Sequence, residues 1–196
     1  MKKLINPDDY FDHPYNGTLN NERCVEITLG RRFLSELSNN VIEIGAVMPY
    51  YMKIFHNVYD PHDQHLLSQK KYAEEVDILN KNVLSISTIE HFGNTNSFGN
   101  FFNSQDKDAS QRYIDRLLQQ AATFFISIPI GAHPPLDRFI QKKLNKFNWF
   151  SYVKLKHKPY PLWELCETDK CFNYKYATPF ECANAVVFLS KGVNFE

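Results

Sequence analysis

Three short stretches of this chain place proton-moving or ligand-holding residues where a crevice is expected. Glu90-His91 closes the apolar strand pattern that runs from Val83 to Ser87. In an α/β protein a crevice opens beyond the carboxyl ends of the strands. An imidazole there can take a proton from a hydroxyl near neutral pH. Glu90 either shares in that chemistry or supports the loop through backbone amides. His133 follows the next strand pattern, Phe124 to Ile128, and is expected to face the same crevice as base or acceptor contact. Asp137, one helical turn further on, reads as a cap. The third stretch is Val41-Ile42-Glu43-Ile44-Gly45-Ala46-Val47, a strand with an acid inside it running into a lone glycine. A strand, a glycine turn and a following amphipathic segment open a ligand crevice in α/β proteins. The glycine ladder of a dinucleotide site is missing, because Val47 and Tyr50 stand where small residues are needed. That argues against a closely held pyrophosphate and leaves room for a ligand without phosphates. Val58-Tyr59-Asp60 is a second short strand with an acid at its tip.

Other polar groups read more simply. His62-Asp63-Gln64-His65 has two histidines and a carboxylate, but no further metal ligand is apparent, so a solvated segment is expected and no metal. Glu22 and Glu26 lie one helical turn apart, and the spacing alone reads as a wet face. Lys154, Lys156 and Lys158 alternate as the solvent side of a strand would. The four cysteines show no C-x-x-C spacing, which leaves free thiols in a reducing cytoplasm as the expectation. Lys+Arg and Asp+Glu both number 22, so the chain lacks the electrostatic footprint of a nucleic-acid binder. Leu4-Ile5 is too short an apolar run for a signal peptide, and no stretch approaches the length of a membrane span.

These residues need elements to position them. With 196 residues and 43% hydrophobic content, one domain with a substantial core is expected. Residues 1–20 read as an irregular arm. Val25, Leu29, Phe33 and Leu37 recur every four residues, a helix that Asn21 can cap. Tyr51 to Phe55 fits a short helix. Residues 64–80 carry near-helical apolar spacing and are expected to be mainly helix. A parallel strand over Glu75 to Leu79 would leave only residues 80–82 to cross over to Val83, and a crossover needs about a dozen. Residues 93–107, rich in Asn, Gly, Ser and Phe, form a long loop in which Phe98, Phe101 and Phe102 suggest a lid or a partner patch. Helices follow from Asp108 or Ser110 and from Pro134. Trp149 to Leu155, Leu162 to Cys166 and Ala185 to Leu189 are closely spaced strands. The alternation predicts an α/β fold with a mostly parallel sheet and an antiparallel edge.

The chain resembles class I S-adenosylmethionine-dependent methyltransferases, within them a group associated with bacterial surface-polysaccharide gene sets. The resemblance rests on Tyr15-Asn16-Gly17-Thr18 with Asn21 to Glu26, on the Val41 to Val47 turn, on Val58-Tyr59-Asp60 and on Ser85-Ile86-Ser87-Thr88-Ile89-Glu90-His91. Phe125 to Gly131 and Pro179-Phe180 with Ala183-Asn184-Ala185 extend it. It implies a Rossmann-like sandwich and S-adenosylmethionine as cofactor. Gly45 would let the backbone approach the amino-acid end, Asp60 would accept the ribose hydroxyls, and Ser87 would be a further contact. Glu43 would touch the ligand or only orient the turn. The implied reaction is O-methylation of a sugar or related small metabolite, with His91, His133 and Glu90 as candidate catalytic groups. Glu22 or Arg23 would line the acceptor site. The chain departs from the family between Asp60 and Val83, which is too short for both a third strand and its crossover. The sheet is therefore expected to lack that strand, with Asp77 either a remnant of the adenine contact or a surface residue. A binding or scaffold protein that keeps the fold without catalysis is the alternative, another nucleoside-ligand enzyme is a third, and a homo-oligomer is left open.

Overall fold

In the computed structural model the described residues are 1, 4–37, 40–93, 106, 108–157 and 161–195. They build one mixed eight-stranded sheet. Its strands are β1 (Val41–Ile44), β2 (Asn57–Tyr59), β3 (Ser68–Gln69), β4 (Asn82–Ile86), β5 (Thr123–Pro129), β6 (Asn148–Lys156), β7 (Leu162–Cys166) and β8 (Ala185–Lys191). The order across the sheet is β3-β2-β1-β4-β5-β8-β6-β7. The β3-β2-β1-β4-β5 half is parallel. The β5-β8-β6-β7 half is antiparallel. The fold is therefore α/β with an antiparallel edge, as the strand spacing predicts. Strand order reverses between β1 and β4, the place where open α/β sheets form a crevice.

Both faces of the sheet are buried, which is why its central strands are apolar at nearly every position. Side chains alternate with period two. Ile42, Ile44, Val83, Ile126, Ile128, Val187 and Leu189 join one cluster with helices α2 (Ala109–Gln120) and α3 (Pro134–Lys143). Leu84, Ile86, Phe125, Phe150, Val186 and Phe188 join the other with helix α1 (Arg23–Glu36). Asn21 caps α1 as expected, its Oδ1 accepting the Arg23 amide at 2.9 Å. Val25, Leu29 and Phe33 are buried on its inner face. The irregular arm is tied down: Ile5 N donates to Tyr152 Oη at 2.7 Å and Trp163 N to Tyr10 Oη at 2.8 Å.

Four expectations are corrected. Residues 64–80 are not helical. They hold β3 and a short 3-10 turn at Ala73–Glu75. The backbone polar groups are satisfied by other means: Asp63 Oδ2 accepts the His65 amide at 2.8 Å, His65 O accepts the Ser68 amide at 2.9 Å, and Gln69 O accepts the Asp60 amide at 3.0 Å. Arg116 of α2 then donates to the carbonyls of Ala73, Glu74 and Val76. With those carbonyls served, the segment runs extended, and Val76 and Ile78 turn inward at alternate positions. The third strand is thus present, as the two-residue β3 paired to β2. Tyr51 to Phe55 is likewise not a helix. The turn comes earlier, at Met48–Tyr50. Finally, Lys154 is not on a wet face. It is 2% exposed, its Nζ lies 4.9 Å from the ring centroid of Trp163 on β7, and it donates to Glu181 O at 3.1 Å. The register shift between Lys154 and Lys156 breaks the alternation, and Lys156 is exposed. Lys158 and the Phe98, Phe101 and Phe102 positions lie outside the described residues.

Candidate functional site

At the carboxyl end of β1 the chain turns at Gly45, where φ is +85°. Four consecutive amides of this turn are taken up by the protein. Gly45 N donates to Tyr59 O at 2.9 Å and Ala46 N to Asp60 Oδ2 at 3.1 Å. Val47 N and Met48 N both donate to Glu43 Oε1, at 2.9 and 2.8 Å. Glu43 Oε2 lies 2.8 Å from His56 Nε2. Glu43, fully buried on the sheet face, is therefore the post that shapes the turn. Asp60, at the tip of β2, also accepts the His62 and Asp63 amides, so its carboxylate joins the first two strand ends. A carboxylate offers about four acceptor sites, so one remains beyond these three bonds. The space beside Gly45 is filled by the Thr88 side chain.

A second group forms at the ends of β4 and β5. Ser87 has a φ of +40°, uncommon for a residue with a Cβ and frequent at functional sites. Its Oγ donates to Glu26 Oε1 at 2.5 Å, and Ser127 Oγ donates to the same oxygen at 2.7 Å. Arg23 Nη1 pairs with Glu26 Oε2 at 2.5 Å. Glu22 Oε2 accepts Ala183 N at 3.2 Å. The amino-terminal turn of α1 thus reaches across to the ends of β4 and β5. Glu22 and Glu26 are buried, so the wet-face reading of that turn is overturned. The reason is tertiary: hydroxyls on two strands and a neighbouring arginine supply the partners that let carboxylates leave water.

Glu90 and His91 follow in a turn at Ile89–His91, with Glu90 Oε1 3.8 Å from His91 Nε2. Burial pushes the Glu90 carboxyl well above its usual range, and its backbone hydrogen bond and the neighbouring carboxylates modulate this. Burial brings His91 down to about 4, helped by the Arg23 charge and the His133 imidazole, with Asp60 opposing. His91 therefore shares one electrostatic environment with Arg23, His133 and Asp60. Its side chain is 30% exposed, so it reaches the opening as a neutral imidazole at neutral pH. His133 caps α3, is 6% exposed, and is also lowered by burial. Asp137 Oδ2 accepts Gly131 N at 2.9 Å, which makes it a brace of the β5 turn. Burial raises Asp137 to about 6. Gly131 has φ +86°, and a Cβ there would overlap the backbone of Tyr176, so the 174–184 loop lies directly against this turn.

The expected residues are thus brought to one end of the sheet. Gly45, Asp60, Ser87, Glu90, His91 and His133 all lie at or just beyond carboxyl strand ends. The roles divide differently from the expectation. Glu43 and Ser87 spend their polar atoms on the protein itself, and Gly45 packs against Thr88. Reading the sequence misses Glu26 as the hub and Ser127 and Thr88 as its neighbours; a serine in an otherwise apolar strand was the available signal for Ser127. Among the described residues no group of three or more His, Cys, Asp or Glu side chains is placed to hold a metal, and His62 and His65 are in the turns that follow Asp60. No disulfide links the four cysteines. Among the described residues no helix is long and apolar enough to cross a membrane. Comparison of the chain with protein-family models, with curated proteins and with solved structures returns no match.

Proposed function

We propose that this is a Rossmann-like, S-adenosylmethionine-dependent methyltransferase that acts on a hydroxyl of a sugar or related small metabolite. The observation that carries the reading is the convergence, at the switch point of the parallel sheet, of an acid-tipped β2 and a glycine turn, joined by the 3.1 Å bond from Ala46 N to Asp60, with a neutral histidine beyond β4. Asp60 keeps an acceptor site suited to a ribose hydroxyl. The turn amides are occupied, so the carboxylate of the amino-acid end falls to Arg23. Its guanidinium has five N–H donors, of which Glu26 engages Nη1. Bound S-adenosylmethionine would supply an electrophilic methyl group. His91 accepts the hydroxyl proton, while Glu22 and Glu90 border the acceptor. The hydroxyl-bearing acceptor class rests on the resemblance.

The experiment is calorimetric titration of the protein with S-adenosylmethionine and S-adenosylhomocysteine. Saturable heat that falls about tenfold or more in affinity in Asp60→Asn and in Arg23→Gln, with the melting temperature followed in parallel, supports the reading. One observation favours a second reading, a non-catalytic binding or scaffold protein. Thr88 fills the side of Gly45, and all four amides from Gly45 to Met48 are already bonded. No heat and no thermal shift at millimolar cofactor would overturn the first reading and favour the second.

A further inference from the structure

The amino ends of β1 and β2, opposite the crevice, border a cavity of about 830 Å³. It lies within the range of small-molecule sites, roughly 300–1,000 Å³. It exists because short turns replace helices in the β1–β2 and β3–β4 connections, so none of the described residues covers this corner of the sheet. Leu34 of α1, Ile42, Ile54 and Val76 give it apolar walls. Arg31, Lys53, Lys71 and Lys81 also line it, against two acids among the described residues, Glu75 and Asp77.

Those two acids are engaged with their own backbone. Glu75 Oε2 accepts Tyr72 N at 2.8 Å and Asp77 Oδ1 accepts Leu79 N at 3.0 Å. The cations instead sit beside rings and an amide. Lys53 Nζ is 5.2 Å from the centroid of Phe55, Lys71 Nζ is 5.8 Å from that of Tyr59, and Lys81 Nζ donates to Asn40 Oδ1 at 2.9 Å. Phe55 is 89% exposed, a large ring held in water at the rim.

We propose that this cavity is a second binding site, for a small anion carried on a flat aromatic body. The apolar walls and the Phe55 ring take the body by burial and stacking. The surplus of cations takes the anionic group, phosphate, sulfonate or carboxylate. None of Gly45, Asp60, Ser87, His91 or His133 lines the cavity, so its ligand would not touch the residues assigned to the crevice, although His56 and Tyr59, which do line it, bond to Glu43 and to the Gly45 amide.

The probe is 8-anilinonaphthalene-1-sulfonate, followed by fluorescence and calorimetry. The control is N-phenyl-1-naphthylamine, which has the same rings without the sulfonate. Single-site binding of the sulfonate, tighter than the neutral control and weakened by salt, is expected. Lys53→Glu with Lys71→Glu, both at exposed positions, should lower sulfonate affinity about tenfold or more while leaving the neutral control unchanged. Asp60→Asn should not alter it. Equal binding of the two probes, no effect of the charge reversals, or loss of binding in Asp60→Asn overturns the proposal. So does the absence of saturable sulfonate binding.

Discussion

Gly45 and Thr88 compete for the same space across the junction of β1 and β4. A methyl group added to Gly45 would overlap Thr88 Oγ1, and the Thr88 hydroxyl is itself held by Ile86 O at 2.9 Å. The glycine of the turn is thus required by a neighbouring side chain as well as by its φ of +85°. Gly45→Ala is expected to cost about 2–4 kcal/mol, the sum of a left-handed residue and a steric clash. Thr88→Ala in the same chain should recover part of the loss, because it removes the two closest contacts, Oγ1 and Cγ2, and leaves the Cβ contact at 2.8 Å and the φ penalty. Urea unfolding of the two single variants and the double variant measures the coupling, and strict additivity would show that the two residues do not compete.

Glu43 carries two backbone amides and His56 with both its oxygens inside the fold. Glu43→Ala should destabilise the protein by about 3–5 kcal/mol, since it leaves those donors unserved in a buried place. Glu43→Gln keeps one carbonyl oxygen for Val47 and Met48 and should cost less than half as much. Chemical denaturation of the pair tests this. Equal losses would show that charge, and not acceptor geometry, holds the turn.

Glu26 is fully buried and joined to Arg23, Ser87 and Ser127. Glu26→Ala should cost about 3–5 kcal/mol, because it strands the Arg23 charge and two hydroxyls. Arg23→Met combined with Glu26→Met should cost less than Glu26→Ala alone. Equilibrium unfolding decides between a structural hub and a dispensable pair.

Asp137 and His91 give opposite pH slopes. Burial raises Asp137 from 3.8 to about 6, so the folded chain binds its proton more tightly than the unfolded chain. Stability from this group is full below pH 3.8 and falls as pH rises to about 6. Asp137→Asn should remove that slope and gain about 1–3 kcal/mol at pH 7, as an asparagine oxygen can still accept Gly131 N. For His91, lowered from 6.5 to about 4, the folded chain binds the proton more weakly. Stability is full above pH 6.5 and is lost as pH falls toward 4. His91→Gln should flatten that acid limb. Melting temperatures of both variants from pH 4 to pH 7 check the signs. A steeper acid loss in His91→Gln would reverse this assignment.

The sequence by itself determined the elements whose signal is local. Four-residue spacing from Val25 to Phe33 and the Asn21 cap define α1, Pro134 opens α3, and apolar runs mark β4, β5 and β8, because period and capping act within a few residues. The candidate residues could be placed at carboxyl strand ends for the same reason. Only the tertiary structure decided what those residues touch. Residues 64–80 have helical spacing, yet Arg116 from α2 takes the carbonyls of Ala73, Glu74 and Val76 and β2 pairs with Ser68 and Gln69, and the helix does not form. Glu22, Glu26 and Lys154 are polar types at positions that read as wet, and partners far along the chain make their burial tolerable. The Gly45 turn reads as open to a ligand, but its closure by Thr88 and Glu43 depends on side-chain directions set by the packing of β1 against β4. Hydrogen-bond partners brought together across long stretches of chain leave no periodic trace, so the sequence could nominate the site but not apportion its bonds.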